Sequence, residues 1–218
     1  MSIDAKAHPS VHDAADGTEL TPVAKDAAAG RATAAARRVV DALLRADRGR
    51  ADLERIAGEL NRIAEQLEEH APEIEVRLID MWRGEGASGL DPVTGAENAI
   101  APPLALVGRE DGSVEGKVVL GLPYQGPPGH VHGGVAALLL DHTLGVANAW
   151  AGRNGATAQL NVRYHRPTPL FEPITVRGWV VGHEGRKTET VGEIRAANGD
   201  LCVSVEALFI DKTVPRPR

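Results

Sequence analysis

Asp141 lies in the middle of a nearly apolar run that extends from Gly133 to Trp150. The only other polar side chains in this run are His142, Thr143 and Asn148, and it contains no Lys, Arg, Glu or Gln. This pattern predicts a helix that is buried on nearly all sides. A carboxylate is costly to bury without partners, and buried carboxylates often belong to catalytic sites. Asp141 is therefore a candidate general base or nucleophile.

Small and polar side chains share one face of the predicted helix. A face of small residues leaves room for a ligand beside Asp141. It equally allows another backbone to pack closely, with Asp141 bonded to a neighbouring donor, so the helix by itself leaves both interpretations open. The face is formed by residues at spacings of three and four, namely Gly134, Ala137, Asp141, Gly145 and Asn148.

Two glycines begin this helix directly after the loop of residues 124–131. Glycine lets a backbone approach a ligand closely, and the first N–H groups of a helix have no partner within the helix. The positive end of the helix dipole adds to their attraction for negative charge. We predict that the Gly134 N–H donates to a carbonyl oxygen that becomes negative during a reaction, with His132 steadying the loop. A tight turn would also explain the Gly-Gly pair.

The ten-residue segment HGGVAALLLD, from His132 to Asp141, resembles the signature of the hotdog-fold acyl-CoA thioesterases of the phenylacetate-pathway type. The acid nine positions after the His matches the catalytic carboxylate of that family. Residues 157–167 resemble the family's central strand, and residues 185–187 match a family turn. The similarity covers roughly residues 91–211, over half of the chain. The loop at 126–128 is similar to the mammalian long-chain acyl-CoA branch, and it lacks the Asn that helps to position the thioester in other members.

The resemblance implies an acyl-CoA substrate, no bound cofactor, and a homodimer or homotetramer. In the family the strand that matches 156–166 lies at the dimer interface. The Thr that matches Thr157 faces the carboxylate of the partner subunit and would orient the attacking water. Coenzyme A phosphates require cations, although such charges are also common on solvated faces. The candidates are Arg163, His165, Arg166, Arg186 and Lys187.

Turn signals divide the chain into four parts. Residues 1–22 are predicted to be a mobile tail, 23–83 a helical extension of two helices, and 84–103 a connector. Residues 104–212 carry two strands, the apolar helix, and then four strands. This order predicts an α+β domain in which an antiparallel sheet wraps around one long helix, as the hotdog resemblance also implies.

The predicted helical extension has a narrow apolar seam. Its second helix carries Leu53, Ile56, Leu60, Ile63 and Leu67 at alternating spacings of three and four. Such a seam suits packing on a neighbouring helix or on another subunit. We expect these helices to be separable from the chemistry, since every candidate site residue follows Gly126.

Composition excludes several other classes of protein. The net charge of −6 argues against nucleic-acid binding and against binding to anionic membranes. The single cysteine, Cys202, excludes an intrachain disulfide and favours a cytoplasmic protein. No apolar signal segment or membrane-spanning stretch is present, so membrane insertion is not expected. The histidines near Asp141 do not form a convincing metal set, and Ser204 lacks the context of a serine nucleophile.

Three hypotheses follow for function. The first is an acyl-CoA thioesterase that hydrolyses a fatty or aromatic thioester, in which Asp141 activates water or attacks the carbonyl to give a mixed anhydride. The second is a non-catalytic acyl-CoA-binding hotdog sensor, against which Asp141 and Thr157 both argue. The third is a hotdog enoyl-CoA hydratase, which would need an Asp/His pair at different positions.

Overall fold

The computed structural model describes residues 13–14, 17–21, 24, 26–49, 51–76, 89–102 and 104–212. Within these residues the chain forms one eight-stranded sheet, three longer helices and several short turns. The helices are α1 (Ala27–Arg45), α2 (Leu53–Glu68) and α3 (Gly133–Trp150). The strands are β1 (Asp13–Ala14), β2 (Gly17–Glu19), β3 (Ala105–Gly108), β4 (Val114–Val119), β5 (Ala156–Tyr164), β6 (Pro173–Glu184), β7 (Lys187–Ala196) and β8 (Leu201–Ile210).

The sheet is antiparallel throughout, and its strand order is β1-β2-β3-β4-β6-β7-β8-β5. Its inner face packs around α3, whose buried residues Leu139, Leu140 and Leu144 meet strand residues such as Val176 and Ile194 in one core. This arrangement confirms the predicted hotdog architecture of a sheet around a long central helix. It also makes β5 an edge strand that lies beside the open face of α3.

A pair of glycines lets α3 lie close to the sheet. Gly178 on β6 is paired with Gly192 on β7. A Cβ atom at either position would lie within 3.0 Å of Leu144 Cδ2. The side chain of Leu144 therefore fills the space that larger residues would occupy at this crossing.

The predicted mobile tail over residues 1–22 is wrong for the segment 17–21. There β2 pairs with β3, in the register Thr18 to Gly108, and the Leu20 N–H donates to the Leu106 carbonyl. The exposed edge of β3 offers unpaired backbone groups to which any extended segment can bond. Because the bonding is through the backbone, the polar sequence of the tail gives no hydrophobic pattern that would predict a strand.

The predicted connector is packed against the domain. In its described part, residues 89–102, Val93, Thr94 and Ala101 are buried. Backbone bonds such as the Gly95 N–H to the Asp91 carbonyl fold it into consecutive turns. The Gly, Pro, Asp and Asn content that predicted a linker is the chemistry of tight turns, and these turns hold a few apolar side chains in the core.

Two N-terminal helices are present, as predicted. α1 packs against the turn at 122–124, and Thr33 is its buried residue. α2 has no buried residue, and its predicted seam is open to solvent in the single chain, with Leu67 70% exposed. No helix in the described part of the chain has the length and apolar character needed to cross a membrane. Residues 77–83 of the predicted extension lie outside the described residues.

Candidate active site

The first turn of α3 presents one unpaired N–H group. His132 is the N-cap, and its Nδ1 accepts the Gly134 N–H at 3.0 Å. The predicted oxyanion donor, Gly134, is thus already occupied by the imidazole in this structure. Among the described residues, no acceptor is bonded to the N–H of Gly133, the first helical residue. The side chain of an N-cap residue commonly accepts the N–H of the second helical residue. The N–H of the first helical residue then stays available to a ligand.

Backbone hydrogen bonds hold the loop before α3 in place. The Gly126 N–H donates to the His130 carbonyl, and the His132 N–H donates to the Tyr124 carbonyl. A Cβ atom on Gly126 would lie 2.7 Å from the Cα atom of His132, so the closed loop requires glycine there. The start of the helix is therefore preorganised.

Tyr164, at the end of β5, contacts this first turn. Its hydroxyl donates to the Gly133 carbonyl at 2.9 Å, and its ring would lie 3.3 Å from a Cβ atom on Gly133. Sequence reasoning did not single out Tyr164. The available signal is a tyrosine that ends the alternation of apolar residues 158, 160, 162 and 164 along the strand.

Asp141 is bonded to Thr157 of the same chain. The Thr157 hydroxyl donates to Asp141 Oδ1 at 2.8 Å. The expectation that Thr157 faces the carboxylate of a partner subunit is therefore wrong. The two residues do lie next to each other, as expected, but both belong to the same chain.

A β-bulge accounts for the orientation of Thr157. Strict alternation would put Thr157 on the outer face of β5 with the exposed Gln159 and Asn161. The register with β8 shifts between Thr157 and Gln159. The extra residue in the bulge reverses the face of the sheet on which the preceding side chains lie. The Thr157 side chain therefore faces α3.

The prediction that α3 is buried nearly all round is wrong for one face. Gly134 is exposed, Leu138 is 40% exposed and Asp141 is half-buried, whereas Leu139 and Leu140 are fully buried. The apolar sequence misleads because an interior helix and a helix with one face open in the single chain look alike in composition. Asp141 is thus accessible to a substrate.

The small-residue face of α3 changes character along its length. At its far end Asn148 is 2% exposed and accepts a hydrogen bond from the Thr190 hydroxyl at 2.6 Å. Asn148 therefore belongs to the core, whereas Gly134 is exposed and Asp141 is half-buried.

The unpaired N–H and the carboxylate lie too far apart to serve one carbonyl group. Gly133 and Asp141 are separated by eight residues, which is about 12 Å along an α-helix. A thioester carbonyl and its attacking water span about 3 Å. The two groups can act on one carbonyl group only if they come from different chains.

The predicted coenzyme A cations fall into two groups. Arg163, His165 and Arg166 lie at the end of β5 near Gly133. Arg186 lies in the turn before β7, and Lys187 is the first residue of β7, where it is level with Ala156 through β8. In one chain the groups occupy opposite ends of β5, because the antiparallel turn returns Arg186 and Lys187 to the Thr157 end.

A cleft of about 340 Å³ opens beside the first turn of α3. Gly133 and Arg166 border it. Most of its wall is apolar, formed by Pro127, Val131, Ala136, Pro167 and Tyr164.

Comparisons with known proteins agree with this architecture. A family model described as "Thioesterase superfamily" matches residues 128–203. A second, described as "Hypothetical protein RHA1_ro05818, N-terminal helical domain", matches residues 20–76. A crystal structure of a thioesterase superfamily protein is 66% identical, covers 90% of this chain and 97% of its own, and superposes with a TM-score of 0.83. The chain belongs to the thioesterase superfamily.

Two other relatives are named acyl-coenzyme A thioesterase THEM4. The Xenopus laevis protein is 37% identical over 90 residues, which cover 40% of this chain and 40% of the relative. The Mus musculus protein is 36% identical over 98 residues, which cover 44% of this chain and 42% of the relative. The matches thus span less than half the length of these relatives.

A second polar cluster lies next to Asp141, where the connector meets α3. His142 Nε2 lies 3.1 Å from the Thr94 hydroxyl, and its Nδ1 lies 3.6 Å from Asp91 Oδ1. Burial lowers the pKa of His142, although Asp91 and Asp141 oppose this. Sequence reasoning missed the cluster because its members are separated by 48 residues. In the part of the chain described, no three His, Cys, Asp or Glu side chains are grouped as a metal site would require.

Acid should destabilise the folded protein through His142. Because the folded pKa lies below the ordinary value of 6.5, the unfolded chain binds this proton more readily. The stability provided by neutral His142 is present above pH 6.5 and is lost as the pH falls towards the lowered folded pKa. His142→Gln should therefore show a shallower fall of Tm below pH 6.5 than the wild type, measured by thermal denaturation. His70→Gln, at an exposed position, is the control and should follow the wild type; the same slope in His142→Gln would contradict the assignment.

Proposed function

We propose that this protein is an acyl-CoA thioesterase that hydrolyses a fatty or aromatic acyl-CoA to the free acid and coenzyme A. The observation that carries the proposal is the Asp141–Thr157 pair on the open face of α3. Membership of the thioesterase superfamily and the activity named for the THEM4 relatives support it. No cofactor is required, because water is the only co-reactant.

The chemistry assigns one role to each group. Thr157 donates to one oxygen of Asp141, which leaves the other oxygen to take a proton from water. The water oxygen attacks the thioester carbon, the carbonyl oxygen becomes negative, and the C–S bond then breaks to release the coenzyme A thiolate. Direct attack by Asp141 would give a mixed anhydride instead, and the appearance of ¹⁸O from water in Asp141 during single turnover would identify that route.

The oxyanion donor in this proposal is the Gly133 N–H. It stands at the positive end of α3 and is unpaired among the described residues. Gly134 and His132 hold this donor in place, because the His132 imidazole accepts the Gly134 N–H and thereby fixes the first turn of the helix. Donors of this kind act because they are held in place before charge develops.

The site is shared between two chains, with Gly133 from one and Asp141 from its partner. The separation of about 12 Å along α3 supports this arrangement. β5 is a nine-residue edge strand beside the open face of α3, and such an edge is a natural surface for pairing with another copy. The proposed assembly is a homodimer or a pair of dimers.

The shared site also explains the division of the cations. Arg163 and Arg166 lie at the Gly133 end of one chain, and Arg186 and Lys187 lie at the Thr157 end. When the Gly133 end of one chain meets the Asp141 end of the other, the two groups come to the same side of the substrate. We assign them to the phosphates of coenzyme A.

A panel of acyl-CoA thioesters with a free-thiol readout tests this function. We expect release of coenzyme A from at least one fatty or aromatic member. Saturable binding without release across the whole panel would instead support an acyl-CoA sensor, and hydration of an enoyl-CoA would support a lyase.

A further inference from the structure

The connector of residues 89–102 is attached to α3 next to the proposed catalytic acid. Asp91 Oδ1 accepts the N–H groups of Val93 and Thr94, which folds the turn around its carboxylate. The His142 ring lies against this turn and is only 15% exposed. A neutral ring with its proton on Nδ1 fits these contacts: Nδ1–H then points to Asp91, and Nε2 can accept from the Thr94 hydroxyl, which also lies 3.4 Å from Asp91 Oδ1.

The same connector is attached to α1 on its other side. Arg37 Nη2 donates to the carbonyl groups of Gly95 and Asn98, at 3.0 and 2.6 Å. The Asp26 N–H at the start of α1 also donates to Glu97. A continuous set of contacts therefore joins α1, the connector, His142 and the residue beside it, Asp141.

We infer that His142 is a positioning residue for Asp141, and that α1 contributes to the same positioning by holding the connector through Arg37. This rests on the proposed function, in which Asp141 is the base or nucleophile. It reverses the expectation that the whole N-terminal extension is separable from the chemistry. α2, which has no buried residue, stays dispensable.

The physical need for such positioning comes from the rest of α3. Most of its contacts with the sheet are made by Leu and Ala, and apolar burial has little directional preference. Consecutive helical residues point about 100° apart. The Asp141–Thr157 and His142–Thr94 bonds therefore hold the helix from two directions, which fixes its rotation about its own axis.

Thr94→Val tests this inference, because it removes one buried hydroxyl and keeps the shape of the side chain. A small displacement of a catalytic group is costly, so we expect kcat to fall about tenfold while KM changes less than about twofold. Thr94→Ser, which keeps the hydroxyl, should restore kcat. The matched control is Thr143→Val on α3, whose hydroxyl donates to the Leu139 carbonyl of its own helix; it should keep the wild-type kcat.

Arg37→Met tests the contribution of α1 in the full chain. We expect a similar fall of kcat with little change of KM, because the connector loses two hydrogen bonds. Arg45→Met is the control, since Arg45 on the same helix is exposed and bonds to Asp41. Each rate is divided by the folded fraction, measured by thermal denaturation.

Amide hydrogen exchange over residues 139–146 separates this inference from the proposed function. Thr94→Val and Arg37→Met should exchange at least about threefold faster there than the wild type and the two controls, whether or not any acyl-CoA is hydrolysed. If Asp141→Asn abolishes turnover while both variants keep wild-type kcat and exchange, the inference is wrong and the function stands. If the wild type hydrolyses nothing, the proposed function fails, and the exchange rates alone decide the positioning.

Discussion

Asp141→Asn should give a folded protein that binds acyl-CoA and releases coenzyme A about 10²–10⁴ times more slowly than the wild type. The amide retains an oxygen that accepts the Thr157 hydroxyl at the same place. It cannot take a proton from water or attack the thioester. Because Asp141 is half-buried and its contact with Thr157 is kept, we expect Tm to change by only a few degrees.

Two measurements on the Asp141→Asn protein separate a chemical role from a structural one. Thermal denaturation gives stability, and a free-thiol assay gives turnover per folded molecule. Asp52→Asn, at the exposed N-cap of α2, is the control and should match the wild type in both. A folded Asp141→Asn protein with near wild-type turnover would exclude Asp141 as base and as nucleophile.

Gly133→Pro should reduce kcat about 10²–10³-fold, while Gly133→Ala should reduce it much less. Proline is favoured at the first position of a helix, where its missing N–H has no partner within the helix. His132 before it is already extended, at φ −62° and ψ 134°, as a residue before proline must be. The substitution therefore removes the proposed oxyanion donor with little change to the helix.

The alanine variant is a matched control for the proline variant. Both place a Cβ atom 3.3 Å from the ring of Tyr164, so crowding by that Cβ atom is common to them, and only proline replaces the N–H with a ring carbon. Steady-state kinetics of both variants, each divided by its folded fraction, gives the comparison. Equal losses of kcat would assign the effect to crowding of Tyr164 and would contradict the role of the N–H.

The elements around the site were predictable because their signals are local. An apolar run of helical length gave α3, and turn residues such as those at 198–199 separated the strands. Asp141 was conspicuous because it is the only acid in that run. Patterns of this kind depend on the burial of nearby residues in the chain.

The details of the site depend on contacts between distant residues, which periodicity does not encode. The bulge after Thr157 is set by pairing with β8, and it decides which side that hydroxyl faces. The cap on the Gly134 N–H depends on the rotamer of His132. The Thr94–His142 contact joins a turn to a helix 48 residues later. In each case the position of a side chain is set by a hydrogen bond or a strand pairing, and the spacing of apolar residues does not predict it.

Subunit complementation tests the shared site most directly. Asp141→Asn and Gly133→Pro chains are co-expressed, and native mass spectrometry measures the fraction of hybrid dimers. A hybrid has one complete site, with Gly133 from the first chain and Asp141 from the second. Random pairing should therefore restore about a quarter of the wild-type turnover, although each parent is nearly inactive. If hybrid dimers form and turnover stays at the average of the two parents, both groups act within one chain and the shared site is wrong.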